Sequence, residues 1–390
     1  MSSDWSTYRL GDIAITKSGG TPGRSNNSFF NGEIPWVKSG ELKDSTIYAS
    51  EEKISTEALQ SSSAKVFESN TLLLAMYGAT VGKTGILKIR AATNQAVCAI
   101  RPKENNFNIE FLKFYLIFIR PQLLRDRYGG AQPNISQTLI QDLKIPLPLL
   151  TEQKNIAALL FKIQQAIEIQ ESIIEKTREL RKSTLHYVFT HGLREEKLKE
   201  TEIGPIPASW SVQRFEEFAI LHRGYDLPIQ DRTSGAVPIV GSNGVVGYHY
   251  QSKVKGPGVV TGRSGSIGIS SYVADDYWPL NTGLYVEDFH GNDPLYVHYF
   301  FQSFNFGQYA AGVSVPTLNR NLVHAVLISV PPIGEQIEIA HILKTIDQKI
   351  DLHTAKKSTL QDLFKTMLNK LMTGEMRVKD LDIDVSEVNA

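Results

Sequence analysis

The chain has 390 residues, 42% hydrophobic and 21% charged, a composition that suits two soluble globular domains with connecting elements. Its 41 basic and 41 acidic residues cancel, so any surface for a polyanion has to be a local patch. No run approaches the roughly 18 apolar residues of a membrane span, residues 1–10 lack a basic-then-apolar leader, and a lone Cys98 excludes an intrachain disulfide framework; a cytoplasmic protein with no membrane contact is expected.

Residues 1–150 read as a compact α+β domain. Short β-type runs at 71–76, 85–89 and 96–100 alternate with glycine and asparagine turns, and an aromatic helical patch follows at 111–119. Cys98, inside the third run, reads as a buried structural thiol. Pro146 and Pro148 then stop the chain, and Thr151-Glu152-Gln153 opens a helix with an acid in its first turn, where the dipole favours it. Ile156, Leu160, Ile163, Ile167 and Ile174 form its apolar stripe, interrupted by Gln170, Thr177, Arg181 and Thr184. The helix is expected over 151–192; the roughly 35 residues after Glu152 span about 50 Å.

Residues 193–334 follow the same plan, with β-type runs at 258–261 and 267–273 and an aromatic patch at 296–304. Pro331 and Pro332 precede Gly334-Glu335-Gln336. Then Ile339, Leu343, Ile346, Ile350, His353, Lys357, Leu360, Phe364, Met367 and Leu371 step alternately by four and three, a heptad seam over 335–375. Residues 376–390 form an acidic tail. Two such helices in one chain most simply pack antiparallel on each other.

One unit is therefore used twice. A shift of 183 lays residues 133–190 on 316–373 without a gap, and within 152–167 eight of sixteen positions are identical. Upstream the match needs gaps, pairing Trp5 with Trp210, Pro35 with Pro238, Gly82 with Gly268, Asn94 with Asn281 and Phe111 with Tyr296. Charge is uneven along the chain, with 17 basic against 13 acidic residues in 1–150, 9 against 8 in 151–200, 7 against 10 in 201–334 and 8 against 10 in 335–390. The acidic excess of 201–334 counts against nucleic-acid binding by the second half taken alone, because phosphate neutralisation supplies much of the affinity.

The order of globular domain, proline-rich stop and Glu-Gln helix, twice over, resembles type I restriction-modification specificity subunits along essentially the whole chain. The segments that carry the likeness are Gly19-Gly20-Thr21-Pro22, Ile34-Pro35-Trp36, residues 129–137 with 146–153, and residues 312–320 with 331–336. The second domain has Val237-Pro238-Ile239 but no Gly-Gly-Thr-Pro. The resemblance implies an α+β fold with an internal pseudo-twofold repeat, in which two target-recognition domains (1–150 and 193–334) are separated by two long helices packed as an antiparallel coiled coil. It further implies that each domain reads half of a bipartite target in double-stranded DNA, that the helices set the spacing, that two methyltransferase subunits dock on them, and that restriction motor-nuclease subunits join through those. No cofactor and no catalysis are expected of the chain itself. A helical adaptor without DNA readout is the alternative.

Motifs for other chemistries fail on spacing. Gly78-Ala79-Thr80-Val81-Gly82-Lys83-Thr84 is one residue short of a phosphate-binding loop, and the run after it reads as a strand where that loop needs a helix. Asp293-Pro294-Leu295-Tyr296 is the nearest approach to a methyltransferase tetrapeptide. No proline precedes an aspartate to complete a nuclease motif with Glu51 and Lys53, and no histidine pair has helical zinc spacing. For base reading, long polar side chains on turns are the useful groups, arginine or lysine for guanine and asparagine or glutamine for adenine. The candidates are Arg24, Asn26, Lys38, Tyr77, Thr80, Lys83, Asn94, Gln95, Gln132 and Asn134, then Ser242, Asn243, Arg263, Ser264, Ser266, Asn281, Asn319 and Arg320. Asn94 and Asn281 equally suit a role in satisfying turn backbone.

Overall fold

The computed structural model describes residues 5–104, 107–125, 134–311, 316–379, 381 and 383–386. They fall into two units, Met1–Gln170 with Lys356–Ala390, and Glu171–Ala355. Among the described residues no helix is long and apolar enough to cross a membrane.

In the first unit the run Leu72–Ala75 is apolar at every position because the sheet it joins is covered on both faces. Leu72 and Leu74 pack with Phe111, Phe114 and Cys98, whereas Leu73 packs with Val37, Leu87 and Val97. The sheet runs Ala14–Ser18, Val97–Pro102, Leu72–Ala75, Thr84–Leu87, Ser45–Ile47, antiparallel except at the last pair. A second sheet orders Glu52–Ile54, Ile34–Val37, Ala91–Thr93 and Val66–Phe67. Burial pushes the Cys98 thiol up to about 12, as suits a packed, inert sulfur.

The second unit uses the same arrangement. Its main sheet runs Ile220–Arg223, Gly283–Asp288, Gly258–Gly262, Ser270–Val273, all antiparallel. The parallel pairing of Ile34–Val37 with Ala91–Thr93 recurs as Val237–Gly241 with Trp278–Pro279. Its core is aromatic, with Phe215 ringed by Phe218, Phe300, Phe301, Phe304 and Phe306 at 5.4–6.2 Å between centroids.

The shift of 183 holds element by element. Strand Lys144–Leu147 answers to Leu327–Val330, and helix Leu150–His191 to Ile333–Thr373. Every expected seam position of the second long helix is buried or half-buried. In the first helix the four polar interruptions, Gln170, Thr177, Arg181 and Thr184, are covered as well, so the seam continues through them. Arg181, for example, forks onto Asp347 and reaches Gln302 at 2.6 Å. In the second unit the two long helices run antiparallel, Arg181 meeting Asp347 and Arg194 meeting Glu338; in the first, Ile156 and Leu160 share a core with Leu368 and Leu371.

The Glu-Gln pair proves to be a docking device. Gln153 donates to Pro148 O (2.9 Å) and accepts from Asn108 N (2.8 Å), the cap of helix Ile109–Arg125. Gln336 does the same with Pro331 O (3.0 Å) and Asp293 N (3.1 Å), ahead of helix Pro294–Ser303. The glutamates close the units: Glu335 accepts from Leu193 N (2.7 Å) and Trp210 Nε1 (3.1 Å), and Glu152 from Arg377 (2.6 and 2.8 Å).

His298, on helix Pro294–Ser303, lies between Ser270 Oγ (2.9 Å) and Gln302 (2.8 Å). Burial drives its pKa down to about 4, with Arg181 adding to the depression and Asp347 opposing it. The folded unit thus holds the imidazole neutral while the unfolded chain protonates it near 6.5. Stability contributed this way is complete above about pH 6.5 and is lost as pH falls towards 4. Denaturation midpoints of the second unit, followed through Trp210 and Trp278, should drop across that window, and His298→Gln should flatten the drop. An unchanged acid limb in the variant assigns the loss to other groups.

Candidate nucleic-acid interface

At one end of each main sheet the same four segments are stitched together by the same main-chain bonds. In the first unit, Gly20 N donates to Thr93 O, Val97 N to Asn94 O, Met76 N to Ala96 O and Ile135 N to Met76 O. In the second, the matching bonds run from Tyr225 N to Pro279 O, Gly283 N to Leu280 O, Arg263 N to Thr282 O and Leu318 N to Arg263 O. The segments are a strand-exit loop (19–21; 224–226), a hairpin loop (76–82; 263–268), the turn leading into the central strand (93–97; 279–283) and the approach to a short helix (134–136; 317–319).

Local chemistry makes these loops. Gly82 and Gly268 have φ of +79° and +82°, a conformation in which a side chain is strained. A Cβ on Gly19 would lie 2.2 Å from Thr93 O, and on Gly224 2.1 Å from Leu280 O. Gly224-Tyr225-Asp226 is therefore the counterpart of Gly19-Gly20-Thr21 that residue identity alone does not reveal: of the three residues only the first, where backbones meet, is the same. The matched bonds also correct one pairing. Asn94 corresponds to Leu280, and it is Gln95 that corresponds to Asn281, each bonding a side chain of the exit loop, Thr21 in one unit and Asp226 in the other.

The sequence candidates separate by what their side chains do. Tyr77 and Thr80 stand on the first hairpin loop, Thr80 donating to Ser39 O (2.7 Å), and Gln95 is exposed beside them. Lys83 is tied to Asp44 at 2.8 Å. Burial alone would raise the Asp44 carboxyl, but Arg120, Lys83 and the Thr84 amide outweigh it and hold it below the usual range. The strand Thr84–Leu87 follows, so the phosphate-loop likeness of 78–84 has no helix behind it. Arg24 and Lys38 share Glu52 (2.7 and 2.9 Å), Lys38 also reaching Glu51, and Arg24 lies 4.2 Å over Phe30. Asn26 caps the turn Asn27–Phe30 by accepting from Ser28 N. The Asn94 side-chain oxygen is buried without a partner among the described residues. Asn134 is exposed, and Gln132 lies outside the described residues.

In the second unit the candidates gather more closely. Ser242 and Asn243 form the two-residue turn between Val237–Gly241 and Gly244–His249. Ser264 bridges Thr317, and Ser266 N donates to Ser264 O. Asn319 caps the helix Arg320–His324. Beside them opens a cleft of about 450 Å³ lined by Arg223, Arg263, Arg320, Thr317, Asn319 and Asn321. Residues 201–334 contain only seven basic side chains, and three of them line this cleft. The acidic excess of the segment is thus compatible with a strongly positive local surface. Arg223 was missed in the sequence; its signal is a cation placed directly before the close-approach Gly224. On the first unit a separate cleft of about 530 Å³ is lined by Lys17, Lys65 and Arg101, none of them a sequence candidate.

A family profile for the type I restriction modification DNA specificity domain matches residues 2–178 and 207–362. The chain is 23% identical to the type I restriction enzyme MjaVIII specificity subunit of Methanocaldococcus jannaschii, over 97% of this chain and 94% of that one. It is also 23% identical to the EcoprrI specificity subunit of Escherichia coli, over 87% and 86%. Among solved structures, the S subunit of a type I restriction-modification system from M. genitalium superposes with a TM-score of 0.67 at 17% identity, covering 94% of this chain and 96% of that one.

Proposed function

The chain belongs to the type I restriction modification DNA specificity family, and on that premise we propose that it is the non-catalytic subunit that gives a type I complex its DNA sequence specificity. Each target-recognition domain, residues 1–150 and 193–334, reads one half of a bipartite target in double-stranded DNA. Two methyltransferase subunits dock on the long helices, and the motor-nuclease subunits join through them. The observation that carries this reading is the fourfold stitch of loops, present twice, which presents turn side chains and backbone amides at one end of each main sheet. Hairpin loops on a rigid sheet are the kind of platform from which base edges are read. Tyr77, Thr80, Gln95 and Asn134 face the first half-site, with Lys83 and Asn94 at the base of their loops and Arg24, Asn26 and Lys38 on a neighbouring segment; Ser242, Asn243, Arg263, Ser264, Ser266, Asn281, Asn319 and Arg320 serve the second.

The test is methylation mapping by the complex assembled with its methyltransferase subunits on a library of random DNA. Two short specified segments separated by a fixed unspecified gap are expected. Deleting one heptad in register from both long helices shortens each by about 10 Å, close to three base-pair rises, and should close the gap by about three base pairs. An unchanged gap in a folded, active variant removes the helices from the role of ruler. DNA binding without sequence preference or salt dependence would favour the adaptor alternative.

A further inference from the structure

The two units differ in chemistry where their folds coincide. Arg223 precedes Gly224 as Ser18 precedes Gly19; Arg263 and Met76 donate the matching main-chain bonds; and Arg320 stands 183 residues after Gln137. In the first unit that place holds an uncharged side chain with partners of its own: the Gln137 amide donates to Thr16 O (2.9 Å) and Thr16 Oγ1 (3.1 Å) and accepts from Ser18 Oγ (3.0 Å). In the second it is the open cleft with three guanidinium groups.

Those three are not equivalent. Arg320 is half-buried and donates to Leu221 O at 3.2 Å, so its direction is set. Arg223 is drawn to Asp226 at 3.7 Å. Arg263 is held through its main chain, its N on Thr282 O (2.9 Å) and its O receiving Leu318 N (2.8 Å), while its side chain has no acidic partner among the described residues. A fixed backbone carrying a free guanidinium is the arrangement that a bidentate contact to guanine O6 and N7 needs, because the fork is planar and its donors are spaced to match.

Resting on the DNA reading above, we infer that the second unit requires a guanine in its half-site and reads it with Arg263, while Arg223 and Arg320 hold the flanking phosphates. At the three matching positions the first unit carries Ser18, Met76 and Gln137, none of them a cation, so a guanine read in this way belongs to one half-site only. Arg263 is then a specificity-determining residue, and the other two position the backbone without selecting bases.

The experiment compares the assembled complex carrying wild-type chain, Arg263→Ala, Arg263→Lys, Arg223→Gln and Arg320→Gln on a library with both half-sites randomised, at several salt concentrations. Arg263→Ala should lower discrimination for one G·C pair in one half-site by about ten- to a hundred-fold and leave the other half-site unchanged. Arg263→Lys should keep most of the affinity and lose much of that discrimination, which separates lost readout from lost folding. Arg223→Gln and Arg320→Gln should weaken binding evenly over sequences and lower the salt slope by about one each. A second half-site without any G·C pair, or an Arg263→Ala that weakens all sequences equally, overturns the inference while leaving the DNA reading intact. A wild-type complex with no sequence preference overturns both.

Discussion

Replacing Arg377 by alanine is expected to destabilise the first unit by about 3–5 kcal/mol. Glu152 is 1% exposed and its carboxylate is held by both sides of the Arg377 fork at 2.6 and 2.8 Å. Arg377 is half-buried, but removing it leaves the buried Glu152 charge uncompensated in a medium that solvates it poorly, which is why truncation costs far more than the pair itself contributes. The tail around Arg377 depends on the same region, since Val378 is buried in the first core and Asn155 donates to Val378 O (2.9 Å) and Leu381 O (3.0 Å). Urea unfolding read by hydrogen exchange in residues 5–104 measures the loss, and adding Glu152→Gln to Arg377→Ala should recover part of it by removing the stranded charge. A loss below about 1 kcal/mol would show that water reaches Glu152 and that the tail is not a closing element.

The other large effect lies in DNA preference. Exchanging Tyr77, Ala79 and Thr80, with Gly78, Gly82 and Lys83 kept, should alter the base preference of one half-site by about 1–3 kcal/mol for each well-formed hydrogen-bonded base reading that is removed, and leave the second half-site as it was. Lys83 is spared because its ammonium holds Asp44, and with Arg120 it fixes the base of the hairpin. Independence is expected because the bonds that hold each loop among the described residues join it to segments of its own unit, and sites without shared partners contribute additively. Selection from a library randomised at both half-sites supplies the measurement. Preference that shifts in both halves together would mean that the loops do not act as separate readers.

Most of the duplication was legible in the chain itself. The 183-residue shift, the two long helices and the heptad seam rest on local periodicity, and a helix displays its face every three or four residues whatever lies elsewhere. Even the polar seam positions Gln170, Thr177, Arg181 and Thr184 followed the spacing, although their residue types spoke against it. Pairings between distant segments were not legible, because sheet register is set by strands far apart in sequence and a slip of one residue sends a side chain to the other face. Thus Asn94 and Asn281, alike in type, are not equivalent, and Gln95 takes the place that type alone would assign to Asn94. Likewise Arg223, Arg263 and Arg320 stand 40 and 57 residues apart in an acidic segment, and only the meeting of a strand end, a hairpin loop and a helix start places them around one cleft. The sequence by itself determined the repeat, the helices and the class of residues on the turns; tertiary structure decided which of those residues are consumed by the fold, as Lys83 and Asn26 are, and which stand free, as the Arg263 guanidinium does among the described residues. The reason is that a charge or amide is available to a ligand only when no nearer partner has been brought to it, and that partner is chosen by folding.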